Sequence, residues 1–266
     1  MAEGHRIALI RGDGIGLDVS DAAVAVIETA LKKIGMVPLR YEEISAGAGY
    51  YKDTGKDIEP GGEERAGEAD AIFLGAIGLP SIRHQDGTEI SPHLRIRDLY
   101  GLYAGVRPVK AYPNAPQRLA DQRAAQIDLV ILRESTEGLF YTAAVHGRSD
   151  IRGDEEVRDT LRITRATTEK LHRFGFRLAE LRKAKGRPGL ITCVDKANVF
   201  ASMAFFRKIF DEIAPEFPDV EFGHNSVVAP ALDLLRRPWD FDVLVMENMF
   251  GAILSDLAGG RVGGLG

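Results

Sequence analysis

One cysteine, one tryptophan and no surplus of positive charge are what this chain of 266 residues offers. The single Cys193 cannot pair within the chain. Its apolar neighbours Leu190 to Val194 point to a buried free thiol in a reducing compartment, and no histidine lies close enough in sequence to make it a nucleophile. Lys and Arg number 34 against 39 Asp and Glu, and the net charge of −5 excludes nucleic acid or an anionic membrane surface as a partner at the whole-chain level. No apolar run approaches the ~20 residues of a membrane span. The opening MAEGHRIALIRGDG lacks a signal-peptide layout, so a cytoplasmic location is expected. His84, His93 and His224 lack metal-ligand spacing. Internal repeats are absent, and only the end, AGGRVGGLG, is glycine-rich, with five in nine residues.

Apolar residues at 45% and charged residues at 27% describe a packed chain, long enough for two ordinary domains or one large α/β domain. RIALIR, ADAIFLGAIG, LYAGVRPVK, IDLVILRES, PGLITCV and FDVLVMEN read as strands, most of them continuously apolar, as parallel strands covered on both faces are. After GDGIG a helix is expected, with Val19, Ala22, Ala23, Val26, Ile27, Ala30, Leu31 and Ile34 on one buried face and Gly35 at its C-terminal stop. Further helices are expected near 155–180 and 197–214, which makes the class α/β. AYPNAPQRLAD, from Ala111 to Asp121, supplies either a domain boundary or a long surface loop.

Three constellations carry chemical potential. GDGIG, with Gly12, Gly14 and Gly16, follows a strand and opens a helix, a place where backbone N–H groups face an anion; a tight turn with no ligand is the alternative. Arg95, Arg97, Arg107 and Arg133 sit in or beside short apolar segments, suited either to bidentate capture of a small polyanion or to salt bridges with Glu134, Asp98 or Glu137. VDKANV places Asp195 and Lys196 at a strand end before a helix, where a lysine serves as general acid or base or is an ordinary surface residue.

In order along nearly the whole chain, RGDGIG, LRIRDLYGLYAGVRPVK, RESTEG, VDKANV and FDVLVMENMFGAILSD resemble the β-decarboxylating dehydrogenases, which act on isopropylmalate, isocitrate, homoisocitrate, tartrate or D-malate. The resemblance implies an isopropylmalate-dehydrogenase-like fold, two α/β domains sharing a twisted sheet, unlike the Rossmann fold, with the active site in the cleft between them. Residues 1–105 with 248–266 would form the first, cofactor-side domain, and 106–247 the second, dimerisation and substrate domain. It also implies a homodimer in which Lys196 acts in the neighbouring active site. The implied reaction passes hydride from a 2-hydroxy acid to NAD or NADP, with Mg²⁺ or Mn²⁺ assisting decarboxylation. By resemblance Arg97, Arg107 and Arg133 bind substrate carboxylates, Lys196 relays the hydroxyl proton, Asn198 lines the cleft and Asp256 binds metal. Gly12, Gly14, Gly16 and Ile77 fall on the cofactor side. Ser91, in ISPHLRIR, stands in the substrate-selecting segment, which favours a smaller or more polar acid such as D-malate, tartrate or isocitrate over isopropylmalate.

Four departures from that pattern stand out. Ala252 and Val228 occupy two positions where the family has metal-binding aspartates, and Phe140 occupies that of the proton-donating tyrosine. The pattern also runs on past LSDLAGGRVGGLG into a His-Gly-Ser loop for the adenosine half of the cofactor, so the chain reads as C-terminally truncated, with apolar surface of residues 1–100 left uncovered. An alternative role follows: a non-catalytic regulatory or carboxylate-binding homologue, or an inactive fragment.

Overall fold

The computed structural model describes residues 4–115, 118–144 and 149–264. The chain divides into two compact units, Met1–Tyr100 and Gly101–Gly266.

In the first unit β1 (Arg6–Gly12) is followed by α1 (Ile15–Lys33), β2 (Arg40–Glu43), α2 (Ala48–Thr54), α3 (Gly62–Glu68), β3 (Ala71–Ala76) and α4 (Pro92–Leu99). The strands form a parallel sheet in the order β2-β1-β3. β1 is the central strand and its Ala8 and Ile10 belong to the core with Ile44, Ile58, Ala66 and Ile96. α1 ends in a Schellman motif: Gly35, at φ +71°, donates to the Lys32 carbonyl at 3.3 Å, and Met36 donates to the Leu31 carbonyl at 2.9 Å. Its buried face differs from the expected one. Gly16 and Ser20 are fully buried and Ala23, Ile27 and Leu31 half-buried, while Val19, Ala22, Val26, Ala30 and Ile34 lie exposed. The apolar residues cover about half of the helix circumference opposite Asp18, Asp21, Glu28 and Lys32, so periodicity alone does not set the centre of the buried face, and the small Gly16 and Ser20 let the backbone approach β3.

The second unit contains β4 (Ala104–Lys110), β5 (Asp128–Glu134), α5 (Phe140–Ala144), β6 (Asp150–Arg152), β7 (Glu156–Arg158), α6 (Arg165–Ala184), β8 (Leu190–Asp195), α7 (Ala201–Ile213), β9 (Glu221–Ser226), α8 (Val228–Arg236), β10 (Val243–Met246) and α9 (Asn248–Arg261). Its five-stranded sheet runs β4-β5-β10-β8-β9, with β4 antiparallel to β5 and the other pairs parallel. Alternate residues point to opposite faces. Val130, Leu132, Val243, Val245, Ile191 and Cys193 meet α6 and α7 on one side. Leu129, Ile131, Leu244, Met246 and Val194 meet Leu234 of α8 and Leu254 and Ala258 of α9 on the other.

All six strands expected from apolar runs are present, and the class is α/β as expected. β2 and β9 carry RYEE and EFGHNS and were invisible to a search for apolar runs. The ladders form a three-stranded sheet in the first unit and, in the second, a five-stranded sheet and the β6-β7 pair. The helix expected from 155 begins at Arg165, because Glu156–Arg158 pairs with Asp150–Arg152 across a turn at Gly153, φ +57°. The helix expected from 197 begins at Ala201, because the amides of Val199 and Phe200 both turn back to the Lys196 carbonyl. By contact the chain divides between Tyr100 and Gly101, and of the segment 111–121 the described residues lie in the second unit outside its helices and strands. α9, assigned by resemblance to the first domain, packs on β5 and β10 of the second unit's sheet.

His172 of α6 lies fully buried in this unit's core, with its ring 4.4 Å from that of Phe206 and 5.3 Å from that of Phe210, both edge-on. Among the described residues neither ring nitrogen has a hydrogen-bond partner. Burial therefore pushes its pKa down to about 3. The folded state holds His172 neutral while the unfolded chain protonates it below about 6.5, so stability is full above that pH and falls as pH drops from about 6.5 towards 3, by up to ~1.4 kcal/mol per unit. Urea unfolding at pH 7, 5.5 and 4.5 should show this decline, and His172→Leu should flatten it.

Candidate active site

β5, β10, β8 and β9 run parallel in level register: Met246 lies opposite both Arg133 and Val194, and Asp195 lies opposite Ser226. Their carboxyl ends therefore form one edge, the edge at which open α/β sheets place their ligands. Arg133, Glu134, Asp195, Lys196, Ser226, Glu247 and Asn248 are gathered there.

Arg133 and Arg107 share a face. In the β4-β5 ladder Gly105 pairs with Arg133 and Arg107 with Ile131, so the two arginines are diagonal neighbours, with no side chain opposite Arg133. Arg107 Nε is buried without a hydrogen-bond partner among the described residues. Arg133 is 9% exposed, and its Nε donates to Asn248 Oδ1 at 2.9 Å. The Asn248 amide donates in turn to the Glu137 carbonyl at 2.9 Å, which fixes its orientation. The guanidinium also lies over the Phe140 ring, 4.9 Å from its centroid, and meets it at the π face. Gly251 completes the arrangement: a Cβ there would sit 2.6 Å from Arg133 Cβ and Cγ, and its absence lets α9 lie against the arginine stem.

Two buried glutamates flank this pair. Glu247 caps α9, accepting from the Met249 and Phe250 amides at 3.0 and 2.7 Å, and Glu134 accepts from the Thr136 and Glu137 amides at 2.7 and 2.6 Å. Burial raises the pKa of both above the usual carboxylate range against the lowering effect of those amides. Glu137 accepts from Thr164 and lies 3.5 Å from Arg162, so the acids that RESTEG offered to Arg133 are engaged in loop structure.

The turn that carries Lys196 is fixed through Asp195, which is fully buried. Arg207 of α7 grips it with both prongs, Nε to Oδ2 at 2.8 Å and Nη2 to Oδ1 at 2.7 Å, and the Ala197 amide adds a bond of 2.8 Å. The Asp195 carbonyl accepts from the Val227 amide at 2.8 Å. Lys196 Nζ donates to Ser226 Oγ at 3.2 Å. Asn198, two residues on, is exposed on the same turn.

Ala252 and Asp256 lie one turn apart on α9, Asp256 exposed, and Val228 is the exposed first residue of α8. Methyl and isopropyl groups have no lone pairs to give a cation. Among the described residues no group of three or more His, Cys, Asp or Glu side chains is arranged to hold a metal ion, so the donor set does not fit the Mg²⁺ or Mn²⁺ that the resemblance implies.

Arg97, Ser91, Gly12, Gly14, Gly16 and Ile77 belong to the first unit. Ser91 stands at the N-cap of α4 without a capping bond, which leaves its hydroxyl for other use. Gly12, at φ +76°, passes so close to the Ala76 carbonyl that no side chain fits, and Ile77 abuts it. Gly14, φ +52°, is exposed. The first amides of α1 turn inward, from Gly16 to the Asp13 carbonyl at 2.8 Å and from Leu17 to that of Gly14 at 3.3 Å, which is the geometry of a tight turn. Asp13, unremarked in the sequence, organises the region. Its buried carboxylate accepts from the amides of Ala48, Gly49 and Gly78 at 2.8, 2.7 and 2.8 Å, tying the loops after β1, β2 and β3. Arg95 is held by Asp57 and Glu63, a structural role.

Against known proteins, residues 6–266 match the family of isocitrate/isopropylmalate dehydrogenases. The 3-isopropylmalate dehydrogenase of Heyndrickxia coagulans is 38% identical over 266 residues, covering 98% of this chain and 70% of the relative. The 3-isopropylmalate/3-methylmalate dehydrogenase of Methanocaldococcus jannaschii is 37% identical, with 98% and 72% covered. The crystal structure of isocitrate dehydrogenase from Methylococcus capsulatus superposes with a TM-score of 0.81 at 34% identity, over 98% of this chain and 71% of that one. Fold, motif order and likeness agree, and the chain belongs to the isocitrate/isopropylmalate dehydrogenase family.

Proposed function

We propose that the chain is a dehydrogenase of the β-decarboxylating type that takes a small 2-hydroxy acid bearing more than one carboxylate, with NAD or NADP as hydride acceptor, and works in the cytoplasm. The observation that carries this reading is the pair of arginines on one sheet face, Arg107 with its Nε unpartnered and Arg133 oriented by Asn248. Planar guanidinium forks suit carboxylates. Arg97 and Ser91 would add substrate contacts, and Asn198 would line the site beside Lys196. The hydroxyl proton goes to Lys196, and the carbon that bore it becomes a ketone as its hydride leaves. When bound, NAD(P) supplies the acceptor, with the exposed Gly14 backbone, the Gly12 and Gly16 turn and the apolar Ile77 on its side. Ala252 and Val228 offer Asp256 no co-ligand for a metal. Phe140 has no hydroxyl to protonate an enolate.

These same three positions favour a second reading, a homologue that binds a carboxylate substrate without turning it over. A panel of D-malate, tartrate, isocitrate and isopropylmalate with NAD and NADP separates the two: turnover establishes the first, and calorimetric binding without turnover the second. Under either reading Arg107→Met should weaken binding of the preferred acid roughly ten- to a hundredfold, the worth of a charge-assisted hydrogen bond.

The unmodified chain should bind Mn²⁺ weakly, since one carboxylate remains of the expected set. Val228→Asp with Ala252→Asp should tighten Mn²⁺ binding at least about tenfold by calorimetry and make activity depend on it.

A second copy of the chain is the proposed partner. Val228, Leu232 and Leu235 of α8 and Ile253 of α9 are 61%, 50%, 39% and 60% exposed, an apolar surface on two helices that pack together. Ile151 and Val157, opposite each other in the β6-β7 ladder, are exposed as well. Sedimentation should find a dimer, and Leu232→Asp should shift it towards monomer.

A further inference from the structure

We propose that Ser226 is the positioning residue of Lys196, the hydroxyl that holds the lysine in the pose from which it exchanges a proton with the substrate. The proposal deepens the hydroxy-acid reading and rests on it for the substrate, though not for the Lys196–Ser226 pair itself.

Both backbones at this pair are fixed. On the lysine side, the buried Asp195 is locked by the Arg207 fork and the Ala197 amide. On the serine side, Ser226 is the ladder partner of Asp195, and the next amide, Val227, bonds the Asp195 carbonyl. What stays free is the four-carbon stem of Lys196, whose rotamers must be restricted before its amine has a defined place. A single contact does this, the bond of 3.2 Å from Nζ to Ser226 Oγ, and among the described residues no carboxylate reaches the amine.

The chemistry of the partner matters. A carboxylate favours the charged ammonium and opposes release of its proton. A serine hydroxyl accepts from the ammonium and donates to the neutral amine, so it holds Lys196 in place on both sides of the transfer. Val228, which stands where the family has an aspartate, follows Ser226 by two residues and points an exposed apolar side chain from α8. The hydroxyl is thus the polar group that this strand end offers Lys196.

The test uses the full chain and the variants Ser226→Ala and Ser226→Thr. Acetylation of Lys196 by dilute acetic anhydride at fixed pH is followed by peptide mass spectrometry against Lys183 and Lys208 as internal references. Ser226→Ala should speed Lys196 acetylation roughly fivefold, the worth of about 1 kcal/mol of hydrogen bond, and Ser226→Thr should restore the slow rate. On the hydroxy acid that is turned over, Ser226→Ala should lower kcat about tenfold or more with KM changed less than about twofold, again rescued by threonine. Unchanged acetylation in Ser226→Ala overturns the pairing, and changed acetylation with unchanged kcat overturns its role in turnover. If the unmodified chain turns over no acid on the panel, the hydroxy-acid reading falls and the acetylation arm alone decides the pairing.

Discussion

The parallel register of β5, β10, β8 and β9 is the constraint from which the second unit follows. Because Arg133, Met246 and Val194 are level across the ladder, the residues just beyond them emerge together. The two faces of the same ladder then separate the helices, α6 and α7 against Val130, Leu132, Val243 and Val245, and α8 and α9 against Ile131, Leu244 and Met246. A slip of one residue on β8 would exchange Cys193 for Val194 in the α7 contact and carry Asp195 away from Arg207. Fold and site are thus fixed by one set of hydrogen bonds.

Buried acids do the local fastening. Asp13 accepts three amides from two other loops, Glu247 begins α9, and Asp195 joins β8 to α7. Each is satisfied by backbone N–H groups or a guanidinium, which is what makes a charge tolerable at that depth. His172 breaks this rule. With no partner for either nitrogen among the described residues, it is a polar ring packed as an aromatic one, and its cost appears as sensitivity to acid.

Much of this architecture is legible in the residues. LVILRE, LITCVD and VLVM are continuous apolar runs that end in charged or polar residues, and they are the core strands. EFGHNS is a strand as well, but it sits at the sheet edge, where half-exposed polar residues suffice, so no apolar signal marks it. For α1 the pattern misleads about side, because Ile15, Leu17, Val19, Val26 and Ile34 remain exposed. Arg107 and Arg133 are recognisable as candidates from their apolar settings. Asn248 and Ser226 are not, because what makes them important is a partner 115 or 30 residues away that only the fold supplies.

Gly251 has a consequence for how this chain stands to its ancestry. The approach of α9 to Arg133 depends on that missing side chain, while Ala252 is half-buried, Val228 is exposed, and neither belongs to a core cluster. The framework is therefore indifferent to whether those two positions hold acids. Acids at those positions would leave the sheet and its helices as they are.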